Sequence, residues 1–137
     1  MSKTLNKLLF IYLFGILAAE NNKELALNHF MQGEFLMNQG NYAMAILEFQ
    51  DAIELDPNAS TIHVSIADGY RRIGKLSKAE DHLGIALELD SEEKEALEML
   101  GQIFLSQKRY IEAKKTYQDL IDLDPIMLII YLSLIHI

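Results

Sequence analysis

From about residue 26 to residue 124 the apolar positions recur in steps of three and four, as in Ile46, Phe49 and Ile53. That spacing lines one face of an α-helix. The pattern breaks at Gly40-Asn41, Asp56-Pro57-Asn58, Gly74-Lys75 and Lys108-Arg109. It predicts helices over Ala26–Gln39, Tyr42–Leu55, Ser60–Ile73, Leu76–Leu89, Lys94–Gln107 and Tyr110–Leu123. Pro57 disfavours helix in the residue before it and so ends the second of these.

The helices pair, and the pairs repeat. Ala45, Ala79 and Ala113 stand 34 residues apart, as do Phe49, Leu83 and Tyr117, and Tyr42, Leu76 and Tyr110. Leu55-Asp56, Leu89-Asp90 and Leu123-Asp124 recur at the same interval, while Pro57 and Pro125 are 68 apart with Ser91 between them. A unit of this kind cannot bury its apolar face alone, so neighbouring units stack.

Repeat positions are numbered below from Ala26, Ser60 and Lys94. Position 8 is then Gly33, Ala67 and Gly101, position 11 is Leu36, Tyr70 and Phe104, and position 20 is Ala throughout. Position 24 is Phe49, Leu83 and Tyr117, and position 27 is Ala52, Ala86 and Leu120. The pattern resembles the tetratricopeptide repeat family. The resemblance implies an all-α fold, a right-handed α-solenoid of helix-turn-helix repeats over 26–59, 60–93 and 94–127, with the start of a fourth at 128–131. In the family, small residues at positions 8 and 20 let the two helices of a repeat, A and B, approach closely, and the large residue at 24 fills the space beside them.

This sequence departs from the family at several places. Position 4, usually Trp, is His29, His63 and Leu97; position 7 of the first repeat is Gln32. Ser91 in place of Pro predicts a less sharply bent connection, and Leu120 at a small position predicts local repacking.

The two ends differ from the middle. Leu8 to Ala19 carries no charge, follows Lys3 and Lys7, and precedes the polar stretch Glu20 to Glu24. This is the outline of a secretory signal peptide over 1–19, with a linker at 20–25. Twelve helical residues cover about 18 Å, short of the ~30 Å hydrocarbon core. Export is therefore the expectation, over an uncleaved membrane anchor, a cytoplasmic location, or an ordinary helix packed on the first repeat. At the other end, residues 132–137 read LSLIHI, the translation of CTG TCT CTT ATA CAC ATC. That resembles the mosaic-end adaptor of transposase-based sequencing libraries. These residues are expected to be adaptor sequence on a truncated frame, and His136 is assigned no function.

Composition narrows the chemistry. Twenty acidic residues against twelve basic ones give a net charge of −8. No basic stripe is available to neutralise phosphates, which argues against nucleic-acid binding. The chain has no Cys, hence no disulfide, thiolate ligand or thiol nucleophile. No HExxH, GxSxG or phosphate-loop pattern occurs, so neither enzyme activity nor a small-molecule substrate or cofactor is expected. His29 and His63 are expected to fill a packing slot and His82 to be exposed, so no metal site is expected either. The acidic run from Glu88 to Glu98 has no EF-hand spacing and is expected to be a solvated face.

In the family, helix A lines the concave surface at positions 2, 5, 9, 12 and 13. By that resemblance the candidate partner-binding residues are Leu27, Phe30, Glu34, Met37 and Asn38; Val64, Asp68, Arg71 and Arg72; and Glu98, Gln102 and Leu105. An apolar, Met-containing groove suits an extended peptide or helix, and the Arg pair suits a carboxylate. The family's carboxylate-clamp subtype needs basic and Asn residues at positions 2, 5, 6 and 9. Leu27, Phe30, Met31, Glu34, Glu95, Glu98, Met99 and Gln102 stand there instead. The function expected is a non-catalytic scaffold for another protein or peptide. The alternatives are the N-terminal module of a longer enzyme or membrane assembly factor, and a membrane-anchored recruiting protein.

Overall fold

A computed structural model describes residues 2–135; Met1, His136 and Ile137 lie outside the described residues. Among the described residues there are seven helices and no strand: α1 (Ser2–Asn38), α2 (Tyr42–Leu55), α3 (Ser60–Arg72), α4 (Leu76–Leu89), α5 (Lys94–Ser106), α6 (Tyr110–Leu123) and α7 (Pro125–Ile135). From Gln39 to Leu123 the ends match the sequence expectation to within one residue, whereas α7 begins three residues before the fourth repeat expected at 128. The chain divides into two compact units, Met1–Asn58 and Ala59–Ile137.

The first unit is the pair α1–α2. Its core is Ala26, Ala45, Ile46, Phe49 and Ala52, all buried. The beginning of α1 corrects the linker expected at 20–25 and disfavours one of the alternatives for the apolar run. Residues 20–25 are helix, not linker, because Glu20, Asn21, Asn22, Lys23 and Glu24 include neither Gly nor Pro and nothing interrupts the backbone. The apolar run does not pack on the repeat: Phe10 is 70% exposed and Leu17 64%. No described helix is long and apolar enough to cross a membrane.

In the second unit α3 packs on α4 and α5 on α6, while α5 also lies against α4 and touches α3, and α7 rests on α6. Ile66, Leu83, Ile103 and Leu120 are the large side chains sealed inside it. Leu120 is thus accommodated in full burial at a position the other repeats give to Ala. Ion pairs tie the helices at the rim. Arg109 Nη1 donates to Glu80 on α4 at 2.7 Å, with the guanidinium 4.3 Å over the Phe104 ring. Lys94 Nζ donates to Asp124 at 2.9 Å and holds that carboxyl below its usual range.

At position 8 of the first and third repeats helix A leaves no room for a side chain beside helix B. A Cβ placed on Gly33 would lie 2.4 Å from the Phe49 ring, and one on Gly101 would lie 2.6 Å from the Tyr117 ring. Neither distance is physically available, so the aromatic ring occupies the volume a side chain would need. In the second repeat the same two positions hold Ala67 and Leu83, both fully buried. An added methyl at position 8 is matched by a smaller group at position 24, so the pair keeps its volume.

The connections follow from local chemistry. Gly40 and Gly74 turn the chain with φ of 78° and 76°, the left-handed region that glycine enters freely. Lys108 does the same at φ 60° with a side chain attached. The connection after α4 is not less bent for want of Pro. Asp90 has φ −142° and ψ 100°, against −136° and 80° at Asp56 and −140° and 91° at Asp124. The Asp90 carboxylate accepts the Glu92 N–H at 3.0 Å, as Asp124 accepts that of Ile126 at 3.1 Å. An Asx turn fixes the corner whether or not a proline follows it.

Two outcomes follow. Gly33→Ala is expected to lose about 1–3 kcal/mol in denaturant unfolding, and Phe49→Leu in the same chain to return part of it; purely additive losses would refute the volume pairing. Lys108→Gly is expected to raise stability by about 1 kcal/mol in the same measurement, by removing left-handed strain.

Candidate functional site

Where α3 and α5 lie side by side in the second unit, they bound a cleft of about 260 Å³ lined by Asp68, Arg71, Arg72, Glu95, Glu98, Met99 and Gln102. These residues sit at positions 2, 5, 6, 9, 12 and 13 of successive helices A, whose 3.6-residue turn brings such positions to one face. Met99 is nearly buried and supplies an apolar floor, while the walls are polar.

The arginines are organised by their own helix. Arg71 donates from Nε to Asp68 Oδ1 at 3.1 Å, and from Nη2 to the same oxygen. Arg72 Nε donates to Asp68 Oδ2 at 2.8 Å. The carboxylate these arginines were expected to seek is therefore present within α3. Across the cleft Gln102 Nε2 donates to Glu98 at 3.4 Å. Two cations and three carboxylates leave the lining with net negative charge.

Of the residues expected to meet a partner, the structure gathers Asp68, Arg71, Arg72, Glu98 and Gln102 into this cleft, together with Glu95 and Met99. Leu105 is exposed on α5 but does not line it. Val64 is 2% exposed and offers a partner almost no surface, because position 5 of α3 turns into the core of its own unit. In the first unit Leu27 and Asn38 are exposed, and Glu34 and Met37 are partly so. Phe30 is partly buried with its ring 5.7 Å from that of Phe49, which commits it to the helix interface.

Positions 4 and 23 form a recurring polar contact between helices A and B that the sequence reading missed. His29 Nδ1 lies 2.8 Å from Glu48 Oε2 in the first repeat, and His63 Nδ1 lies 3.1 Å from His82 Nδ1 in the second. The third repeat has Leu97 and Thr116 there, both buried, with Thr116 Oγ1 donating to the Glu112 carbonyl. His63 is 6% exposed, a packing residue as expected. His82 is not the exposed residue expected. It is partly buried against Tyr70, with ring centroids 5.6 Å apart, because position 23 faces helix A. Among the described residues, the histidine-containing set close enough to share an ion is His29, Glu48 and Asp51.

Comparison with known proteins gives a consistent picture. Models described as tetratricopeptide repeat match residues 17–59 and 64–125. The small glutamine-rich tetratricopeptide repeat-containing protein 2 of Mycosarcoma maydis is 32% identical over 94 residues, which are 69% of this chain and 27% of that protein. The chain thus spans about a quarter of that relative's length. The first TPR of Spaghetti (RPAP3), solved bound to HSP90 peptide SRMEEVD, aligns with TM-score 0.72 at 26% identity over 75% of this chain and 82% of that one. The Sgt2 TPR domain from Aspergillus fumigatus aligns with TM-score 0.69 at 22% identity over 73% of this chain and 66% of that one, a likeness of fold.

The His63–His82 contact carries a pH dependence. Burial, then the neighbouring charge of His63, then Lys78, lower the pKa of His82 below the ordinary 6.5, while Asp81 opposes them. The unfolded chain therefore binds the proton more readily, and stability rises with pH through this range. The His82 contribution is fully present above pH 6.5 and is lost as pH falls below it. Urea midpoints at pH 7.5 and 5.5 are expected to differ more for the wild-type chain than for His82→Gln; equal differences would exclude the effect.

Proposed function

Because the chain belongs to the tetratricopeptide repeat family, we propose that it is a non-catalytic protein-interaction module that holds a peptide or a partner helix in the cleft between α3 and α5. The observation that carries this reading is the cleft itself: two successive helices A meet there around an apolar floor with polar walls. Relatives support the class of action, since the first TPR of Spaghetti is solved with an HSP90 peptide bound. The peptide taken here differs in charge. Glu95 and Glu98 stand where an acid-binding surface would carry cations, and Asp68 already holds both arginines. A neutral or basic segment with an apolar side chain for the Met99 floor suits this lining; an acidic tail is repelled.

The exposed apolar start of α1 favours a second role alongside this one. A run of uncovered Leu, Ile and Phe after Lys3 and Lys7 suits targeting for export better than packing, so the module is proposed to act outside the cytoplasm.

Labelled SRMEEVD is expected to bind the wild-type chain no more tightly than about 1 mM in fluorescence anisotropy, and the Glu95→Lys/Glu98→Lys chain at least about tenfold more tightly. A phage-displayed peptide library is expected to yield basic or neutral sequences with the wild type. Micromolar wild-type affinity for SRMEEVD, or a library that enriches nothing, would sink the proposal.

A further inference from the structure

We infer that His29, Glu48 and Asp51 form a binding site for a divalent transition ion of the zinc class on the first helical pair. His29 comes from α1, and Glu48 and Asp51 come from α2, three residues apart and hence on one face. A ligand atom from each lies within 4.8 Å of the other two, and His29 Nδ1 is already 2.8 Å from Glu48 Oε2.

The geometry is within reach of coordination. Zinc sits about 2.0–2.2 Å from nitrogen and carboxylate oxygen, which places two ligand atoms of a tetrahedral centre about 3.4 Å apart. The His29–Glu48 pair needs to open by about half an ångström to admit the ion. The exposed Asp51 carboxylate is free of packing and closes the third side. His29 and Glu48 are 31% and 27% exposed, so water reaches the site and fills the remaining coordination position. The frame is rigid, because the Phe49 ring beside Glu48 is wedged against Gly33, one helical turn from His29.

The donor set selects the class of ion. One imidazole with two carboxylates suits zinc, cobalt or nickel, whereas magnesium and calcium prefer oxygen ligands throughout. The arrangement belongs to the first repeat alone. The equivalent positions carry His63, His82 and Ile85 in the second repeat and Leu97, Thr116 and Asp119 in the third. An ion held here joins α1 to α2 and stabilises the folded pair by mass action.

The test is calorimetric titration of the full chain with zinc chloride, with thermal unfolding in parallel. One ion per chain is expected, and zinc is expected to raise the unfolding temperature. Asp51→Asn, at an exposed position, is expected to keep the helical spectrum and metal-free unfolding temperature of the wild type and to weaken zinc binding at least about tenfold. His29→Gln is expected to abolish binding, and His82→Gln to leave it unchanged. Magnesium chloride is expected to give no heat. The site is refuted if zinc gives no saturable heat, if Asp51→Asn and His29→Gln bind as the wild type does, or if His82→Gln removes binding and so places the ion on the second repeat.

Discussion

The structure rests on one steric fact: within a repeat, the two helices approach so closely at position 8 that the ring at position 24 occupies the place of a side chain. Gly33 against Phe49 and Gly101 against Tyr117 are the two instances with nothing to spare. Dispersion falls off within a fraction of an ångström, so contact this close gives the pair much of its packing energy. It also fixes the rotation of helix A about its own axis. Once position 8 faces helix B, position 4 lies beside position 23, and positions 2, 9 and 13 turn away from helix B. The cleft between α3 and α5 is the outward face left by that arrangement.

Much of this was legible in the sequence. The recurrence of Ala45, Ala79 and Ala113 with Phe49, Leu83 and Tyr117 carries the period, and Gly or Pro marks most of the boundaries. What escaped was either non-local or a matter of degree. The charged stretch from Glu20 to Glu24 looked like a break, yet charge does not stop a helix when no residue removes a hydrogen bond or relaxes φ. Ser91 looked like a weak corner because Pro was missing, although the Asp90 carboxylate already made the turn. His82 follows a charged residue and looked exposed; its burial depends on which way α4 faces α3, which a pattern of neighbours along the chain does not encode.

The candidate site was legible to a similar depth. Helix-A periodicity placed Asp68, Arg71, Arg72, Glu98 and Gln102 on one surface, and these residues do line one cleft. Their net effect was not legible. Two adjacent arginines suggest an anion site until the carboxylate one turn back is seen to hold both. Val64 shows the other failure: position 5 lines the cleft as Glu98 on α5 but is buried as Val64 on α3. The charges on the walls of the cleft belong to this chain's own residues.

The fit between positions 8 and 24 also orders the substitutions by which one repeat drifts from another. Gly-with-aromatic and Ala-with-Leu both fill the same space, as the first and second repeats show. A lineage passing from one to the other meets different intermediates by the two routes. Shrinking the ring first leaves a cavity, which a fold tolerates at reduced stability. Adding the methyl first drives a carbon into a ring wedged between two helices, which the fold answers by separating them. Drift between these repeats is therefore directional at the level of single steps, with loss at position 24 preceding gain at position 8, and reversal running in the opposite order.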